Sequence, residues 1–134
     1  MEITIKTTKK QEIIDITNLV KKAIKIKNGI VNIFVQHATA AIIIQENYDP
    51  NVGQDILECL SKSIPQGIWK HDKCETCDRE NAAAHIKSSI LGPSETIPIE
   101  DGKLLLGQWQ NIMLVELDGP RERNLIIQQI ESTK

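Results

Sequence analysis

The chain has 134 residues, of which 40% are hydrophobic and 25% are charged, and its formal net charge is −2. These values are typical of one globular domain, and the lack of a basic excess, with only 3% aromatic residues, argues against a nucleic-acid-binding protein. No run of about 20 apolar residues is present and the first residues alternate between polar and apolar. We therefore expect no membrane span, no secretory signal and a cytoplasmic location.

The first third of the chain shows short strands and one helix. Alternation predicts a strand over residues 1–7, and a second strand over 10–15 is expected to pair with it across a polar turn. Apolar residues at helical spacing predict a helix from Ile16, capped by Asp15 or Thr17 and stopped by Asn28-Gly29.

Two β-rich runs follow, at residues 30–36 and 41–45, and we expect both to be buried on both faces. Asp49-Pro50 then predicts a helix start, because an N-cap residue is followed by proline at the first helical position. Cys59 lies on the apolar stripe of this helix, and we interpret it as a core residue.

The second half of the chain begins with residues 65–80, which show no periodicity and are predicted to form a loop. A short helix is expected from Asn81 to about Leu91, followed by three strands at residues 95–99, 110–117 and 124–130. About seven mostly sequential strands with three helices favour an α+β fold, with an antiparallel or mixed sheet arrangement covered by helices in one domain.

Polar residues continue the apolar rows of three predicted strands. His37 follows the row of the first β-rich run, Glu46 follows the second, and Glu116 and Asp118 follow the strand at 110–117. Because side chains alternate with period two, each polar group projects from the same side as a core row. Each residue alone has a structural explanation, and an N-cap accounts fully for Asp49. Together they suggest a shared polar pocket.

The chain has three histidines, His37, His71 and His85, all in polar or turn contexts. In the predicted helix, Asn81 and His85 share a face opposite the isoleucines, so His85 is expected to line a cleft. Three converging imidazoles would suit a divalent metal ion, zinc or magnesium, with open coordination positions.

Arginine is scarce in this chain: 16 basic residues include only three arginines, and two of them are Arg121 and Arg123. Guanidinium groups recognise phosphate or carboxylate with two parallel hydrogen bonds. The alternative is a structural turn, shaped by Gly119-Pro120, whose arginines pair with Glu122 or Asp118.

Cys74 and Cys77 form one Cys-x-x-Cys motif in a charged loop. The motif is compatible with exposed or structural thiols, with a local zinc or disulfide clip, or with redox catalysis. A thioredoxin-like role would need a strand-to-helix junction, which this context does not provide.

Several longer motifs resemble those of the YjbQ family, in the same order and over nearly the whole chain. The motifs are His37-Ala38-Thr39-Ala40-Ala41, Gln45-Glu46-Asn47 with Asp49-Pro50, Asn81-Ala82-Ala83-Ala84-His85-Ile86-Lys87, Gly92, Pro98-Ile99 with Asp101-Gly102, Gly107-Gln108-Trp109-Gln110, and Glu116-Leu117-Asp118-Gly119-Pro120-Arg121. Gln108 departs from the small hydroxyl residue common in the family, and the cysteine pair is not part of the family pattern.

The resemblance implies a β-sandwich-like α+β barrel that assembles as a homotrimer. It also implies a secondary thiamine-phosphate synthase activity, in which a hydroxymethylpyrimidine pyrophosphate is joined to a thiazole phosphate and pyrophosphate is released. The polar set shared by the family corresponds here to His37, Thr39, Glu46, Asp49, His71, Asn81, His85, Glu116, Asp118 and Arg121.

A pyrophosphate leaving group calls for stabilisation by a metal ion or by arginine. We therefore expect a single YjbQ-like domain over residues 1–134 that acts on a phosphorylated small molecule. The expected metal ligands are His37, His71 and His85; the phosphate contacts are Arg121 and Thr39; the catalytic residues are Glu46, Asp49, Asn81, Glu116 and Asp118. If no metal is bound, the imidazoles could contact phosphate directly. The alternatives are a metal-assisted hydrolase or transferase acting on another phosphorylated metabolite, and a non-catalytic trimeric ligand-binding module.

Overall fold

The computed structural model describes residues 1–77 and 79–133, and within them the chain forms eight strands, three α-helices and one 3-10 helix. The strands are β1 (Glu2–Lys6), β2 (Glu12–Asp15), β3 (Gly29–Val35), β4 (Ala40–Gln45), β5 (Ser94–Glu100), β6 (Lys103–Leu104), β7 (Asn111–Glu116) and β8 (Glu122–Glu131). The helices are α1 (Thr17–Ala23), α2 (Pro50–Ser63), the 3-10 helix Lys70–Lys73 and α3 (Ala82–Leu91).

The strands form two antiparallel sheets. The five-stranded sheet has the order β1-β8-β3-β5-β6, and the three-stranded sheet has the order β2-β7-β4. Every strand pair in both sheets is antiparallel. The predicted α+β fold with a sandwich-like barrel is confirmed.

The main core lies between the two sheets and is aliphatic. The five-stranded sheet contributes Val31, Ile33, Val35, Ile97, Ile99, Leu125 and Ile127; the three-stranded sheet contributes Ala40, Ile42, Ile112 and Leu114; α1 and its N-cap contribute Ile16, Val20 and Ala23. A second cluster lies on the other face of the three-stranded sheet, where Val115 and Leu117 pack against Ala84 of α3 and Leu57 of α2. Strand β7 is therefore buried on both faces.

The predicted pairing of the first two strands is wrong. Strand β1 pairs with β8, and β2 pairs with β7 in the other sheet. The N–H groups of Thr8 and Lys9 donate to the Glu12 carboxylate at 2.7 and 2.9 Å instead of to a hairpin ladder. The chain thus crosses from one sheet to the other, and each strand finds a longer partner near the C-terminus.

Burial on both faces is also wrong for β3. Its side chains alternate, and Ile30 and Phe34 are 39% and 41% exposed, because within residues 1–77 and 79–133 nothing covers them on the outer face of the five-stranded sheet. Strand β4 is closer to the prediction, since Ala40, Ala41 and Ile42 are fully buried.

Helix α2 begins where the sequence predicts, but the residues that it buries differ from the prediction. Asp49 caps α2 by accepting from the Asn51 N–H at 2.9 Å, and Pro50 occupies the first turn, as predicted. Cys59 is exposed, which corrects its interpretation as a core residue, because α2 lies on the surface with no fully buried side chain. No helix in the described ranges is long and apolar enough to cross a membrane.

Two further helix predictions need correction. Helix α1 ends at Ala23, several residues before Asn28-Gly29, and the chain is already extended at Ile24. Helix α3 buries alanines, Lys87 and Ser88, whereas Ile90 is 64% exposed. The 65–80 segment is a loop apart from the 3-10 helix, and its residue 78 lies outside the described residues.

Gly119 is fixed by a close approach of two chain segments. A Cβ atom there would overlap the Lys9 carbonyl oxygen and lie 2.9 Å from Cδ of Glu116. We predict that Gly119→Ala lowers the free energy of unfolding by about 1–3 kcal/mol in urea titrations. Gly53→Ala is the matched control: its Cβ would meet Ile13 at 3.4 Å inside α2, so a gain of about 0.5–1 kcal/mol is expected. Equal effects of the two substitutions would contradict this account.

Candidate functional site

The antiparallel arrangement brings the ends of four strands to one end of the sandwich. The C-terminal ends of β3 and β7 meet the N-terminal ends of β4 and β8, and they border a cavity of about 300 Å³. The residues that line it are His37, Ala38, Thr39, His71, Cys77, Arg79, Asn81, His85, Arg121 and Arg123. Every histidine and every arginine of the 134-residue chain lies in this one place.

The floor of the cavity is a buried ion pair between Glu116 of β7 and Arg123 of β8, both 0% exposed. Arg123 Nε donates to Glu116 Oε1 at 2.9 Å, and its Nη2 donates to Glu116 Oε2 and to Thr39 Oγ1. Glu116 also accepts from Thr7 Oγ1 at 2.7 Å and from the Asp118 N–H at 3.0 Å. These contacts hold the guanidinium in one orientation.

Burial alone would raise the pKa of the Glu116 carboxyl. Hydrogen bonds from Arg123, from the Asp118 backbone and from Thr7 outweigh burial and hold that pKa below its usual value. Glu116 is therefore an ionised partner for Arg123, and its two oxygens are already engaged. The pair positions a cation rather than supplying a base.

Two buried arginine nitrogens have no hydrogen-bond partner within residues 1–77 and 79–133. They are Nη1 of Arg123 and Nε of Arg121, and both are buried. A buried N–H group without an acceptor costs roughly 1–3 kcal/mol, more when it is charged. Both residues line the cavity, so an anion there would supply the missing acceptors.

Asp118, only 4% exposed, organises the rim of the cavity. Its Oδ2 accepts from Arg121 Nη2 at 3.0 Å and from Asn81 Nδ2 at 2.8 Å, and its Oδ1 accepts from Arg79 Nη1 at 3.0 Å. The predicted Asp118–Arg121 pairing is present, while Glu122 instead faces Lys6 across the surface.

Asn81 is hydrogen-bonded to both Asp118 and His71, so Asp118 determines which side-chain atom of Asn81 faces His71. Because its amide nitrogen faces Asp118, its Oδ1 faces Nε2 of His71 at 2.8 Å. In this arrangement, His71 carries its proton on Nε2, and a neutral ring leaves the lone pair on Nδ1 free. The His71 and His85 rings meet edge to face with centroids 5.1 Å apart.

The loop that carries His71 is held by Asp72. One carboxylate oxygen accepts from the Ala82 N–H at 3.0 Å, and the other accepts from Gly67 N and Trp69 N. A charged side chain thus ties the 3-10 helix to the first turn of α3. No sequence pattern indicated this role for Asp72.

His37 has the opposite tautomer from His71. Its Nε2 accepts from the Asn124 N–H at 2.9 Å, which places its proton on Nδ1. Burial lowers the pKa of His37, and the charges of Arg123 and Arg121 lower it further, against a smaller opposing effect of Glu116. His37 is therefore a neutral hydrogen-bond donor.

The donor set does not fit the predicted three-histidine site for zinc or magnesium. Both ring nitrogens of His37 are committed, one to its proton and one to Asn124, so no lone pair is free for a metal ion. Over the described ranges, no group of three or more histidine, cysteine, aspartate or glutamate side chains is arranged to hold a metal. The free donors in the cavity suit an anion.

The structure does not bring Glu46 and Asp49 to this cavity. Strand β4 runs antiparallel to β7, so Ala40 lies opposite Glu116 and Gln45 lies opposite Asn111. The end of β4 is about 17 Å along the strand from its start. Glu46 lines a separate cavity near α2, and Asp49 serves as the N-cap. The predicted pocket would need the C-terminal ends of β3, β4 and β7 to lie together. Because β4 runs antiparallel to β7, its C-terminal end lies at the opposite end of the sheet.

Sequence reasoning did not assign Arg79 or Arg123 to the site. Arg79 lies in the loop without periodicity. The scarcity of arginine singles out Arg121 and Arg123 together, but only Arg121 is among the predicted phosphate contacts. The signal that could have found both was the scarcity of arginine, because all three arginines line the cavity. Thr39, expected to contact phosphate, instead accepts from Arg123 through its hydroxyl and carbonyl oxygens.

The cysteine pair forms a disulfide between Cys74 and Cys77, which matches the disulfide form of the local clip among the alternatives. Cys77 lines the cavity.

Glu116→Gln should strongly destabilise the protein, because it leaves the buried Arg123 charge without a counter-charge. We expect a loss of about 3–5 kcal/mol in the free energy of unfolding. Glu122→Gln removes one partner of an exposed pair with a 3.9 Å Nζ–Oε1 separation, and its cost should be about 0–1 kcal/mol. Chemical denaturation of both variants at neutral pH provides the comparison, and similar losses would refute the role of the buried pair.

His37 should make stability depend on pH. Folding lowers its pKa, so on acidification the unfolded chain binds a proton first, and its contribution to stability is lost as the pH falls below about 6.5. His37→Gln retains an oxygen acceptor for Asn124 and cannot titrate. Between pH 8 and 5, the unfolding free energy of this variant should therefore decline less than that of the wild type. Parallel declines would contradict the assignment.

Comparison with known proteins places the chain in a family. The family model described as "UPF0047 protein YjbQ-like" matches residues 1–132. A UPF0047 protein of Archaeoglobus fulgidus is 42% identical over 131 residues, which are 97% of this chain and 100% of the relative. A relative in Methanocaldococcus jannaschii is 48% identical over 94% of this chain and 90% of its own length.

Solved structures are similar over the same length. A YjbQ/UPF0047 protein of Clostridium acetobutylicum has a TM-score of 0.89 and 45% identity, covering 97% of this chain and 99% of its own. A protein of Sulfolobus solfataricus, described as of unknown function, has a TM-score of 0.90 and 39% identity, with 98% and 96% covered. The chain belongs to the YjbQ/UPF0047 family, whose function is unknown.

Proposed function

We propose that this protein is an enzyme that binds the phosphate or pyrophosphate group of a small metabolite in the histidine–arginine cavity. The observation that carries the proposal is the pair of buried arginine nitrogens, Arg123 Nη1 and Arg121 Nε, without an acceptor in the described part of the chain. A volume of about 300 Å³ is at the lower end of small-molecule sites.

Charge balance in the cavity supports an anionic ligand. Three guanidinium groups line it, whereas the carboxylates that contact them belong to Glu116 and Asp118. The Nδ1–H of His37 adds a neutral donor. Donors fixed before the ligand arrives stabilise a developing negative charge without further reorganisation.

The reaction implied by the family resemblance fits this charge pattern. When hydroxymethylpyrimidine pyrophosphate reacts with thiazole phosphate, the bond from the pyrimidine methylene carbon to oxygen breaks and pyrophosphate leaves with the electron pair. Arg123, Arg121 and His37 would stabilise that leaving group. The thiazole nitrogen forms the new bond to that carbon without a proton transfer, so His71, held by Asn81 and Asp118, would only shape the cavity in this reaction. No step is routed through a metal ion.

A second candidate is hydrolysis or transfer of the phosphate group of another metabolite. The orientation of His71 favours it, because a free Nδ1 lone pair can accept the proton of an attacking hydroxyl or water. Carbon–nitrogen bond formation at a thiazole nitrogen needs no such base.

Binding of inorganic pyrophosphate, measured by calorimetry with a metal chelator present, tests the anion site. The wild type should bind, and Arg121→Gln should bind about 10- to 100-fold more weakly, because a hydrogen bond from a charged group is lost. Lys62→Gln is a matched control, since it removes the same charge from an exposed pair on α2. If the chelator abolishes binding to the wild type, or if both variants bind like the wild type, the anion site is refuted.

Product analysis then separates the two reactions. Thiamine phosphate and pyrophosphate released in equal amounts would support the coupling reaction, whereas phosphate release from other esters without coupling would support the second candidate. His71→Gln should lower kcat for hydrolysis or transfer of phosphate, and it should leave the coupling reaction nearly unchanged because that reaction needs no base. Under the third alternative, a non-catalytic module, neither reaction would give product, and His85→Ala would disrupt the homotrimer implied by the resemblance.

A further inference from the structure

The Cys74–Cys77 disulfide lies inside the segment that supplies part of the cavity wall. His71 precedes it and Arg79 follows it, and both line the cavity. The two cysteines differ in position. Cys77 is an exposed lining residue, whereas Cys74 is half-buried and does not line the cavity, and its Sγ lies 3.4 Å from the Thr76 hydroxyl.

The surroundings of Cys77 hold three guanidinium groups against the two carboxylates, of Asp118 and Glu116, that pair with them. Cys77 shares the cavity with Arg79, Arg121 and Arg123, and the latter two carry buried nitrogens that lack an acceptor in the described ranges. Reactive cysteines in proteins occur in electropositive, partly exposed places of this kind. A disulfide carries no charge, so it does not compete with an anionic ligand for these arginines. A thiolate is negatively charged and would compete with a phosphate oxygen for them.

We propose that Cys74 and Cys77 form a reversible thiol–disulfide pair, and that the Cys77 thiolate formed by reduction competes with phosphate for the cavity arginines. This inference rests on the proposed anion site. Oxidised protein is then the form that binds its ligand well, and reduced protein is inhibited by its own side chain.

The exchange requires a dithiol or two small thiols as reductant. A thiolate of the reductant attacks one sulfur, forming a mixed disulfide, while the other cysteine leaves with the electron pair of the broken bond. The second thiol of the reductant then attacks the mixed disulfide and leaves as the oxidised product. Two electrons pass to the protein sulfurs; Cys74 ends as a thiol, and the proton not taken up by Cys77 goes to solvent.

Two serine variants form a matched pair for the test. Both are made in a Cys59→Ser background, because Cys59 is an exposed free cysteine. Cys74→Ser then leaves the Cys77 thiol, which lies in the cavity, and Cys77→Ser leaves the Cys74 thiol, which is not a lining residue. Both variants remove the disulfide, so any effect of opening the loop is common to them. The presence of the thiolate in the cavity distinguishes them.

Calorimetry with inorganic pyrophosphate at pH 8, with a chelator present and with or without dithiothreitol, measures the competition. Oxidised wild type and Cys77→Ser should bind alike, and reduced wild type and Cys74→Ser should bind at least about tenfold more weakly. The proposal is overturned if reduction does not change the affinity of the wild type. It is also overturned if Cys77→Ser binds as weakly as Cys74→Ser, since loop opening would then explain the loss.

Alkylation by iodoacetamide tests the thiolate without any ligand. In Cys74→Ser, the rate should reach half its maximum about one pH unit lower than in Cys77→Ser. Equal pH profiles of alkylation would overturn the proposal, whatever the affinities for pyrophosphate are. If the alkylation profiles differ but neither oxidised wild type nor Cys77→Ser binds pyrophosphate, the competition fails together with the proposed anion site, and the stabilised thiolate stands alone.

Discussion

The cavity and the end of the sandwich both depend on the buried ion pair between Glu116 and Arg123. Two charges with no exposed surface are tolerated only when nearly every polar atom has a partner. Glu116 meets that condition through Thr7 and the Asp118 N–H, while Arg123 falls short of it by one nitrogen, Nη1. The pair links the three-stranded sheet to the five-stranded sheet where the aliphatic core ends, and it places Arg123 in the wall of the cavity.

Polar contacts around this pair orient the side chains that line the cavity. Asp118 orients Arg121 and Asn81, and Asn81 orients His71, so the direction of one carboxylate determines where a proton can sit on an imidazole. His37 is fixed separately by the Asn124 backbone and stays a neutral donor. The two rings are consequently held by different partners, in a cavity with an excess of guanidinium groups.

Local patterns predicted the elements well and their pairing poorly. Alternation in β1 and the Asp49-Pro50 start of α2 were readable because each depends on residues a few positions apart. The pairing of β1 with β8 depends on a contact more than 100 residues away, and the exclusion of Glu46 from the cavity depends on the direction of β4 relative to β7. Six predicted site residues line the cavity: His37, His71, His85, Thr39, Asn81 and Arg121. The sequence could not show that the Asn124 N–H occupies the lone pair of His37 that a metal ion would need.

The central claim is that an anion completes the hydrogen bonding of the arginine groups. Nitrogen-detected NMR of the arginine side chains during a pyrophosphate titration measures this directly. The account predicts that the Arg123 Nη1 and Arg121 Nε signals shift together and saturate at one equivalent, along with the His37 Nδ1–H signal. Arginine and histidine signals that stay unchanged at saturating pyrophosphate would contradict it.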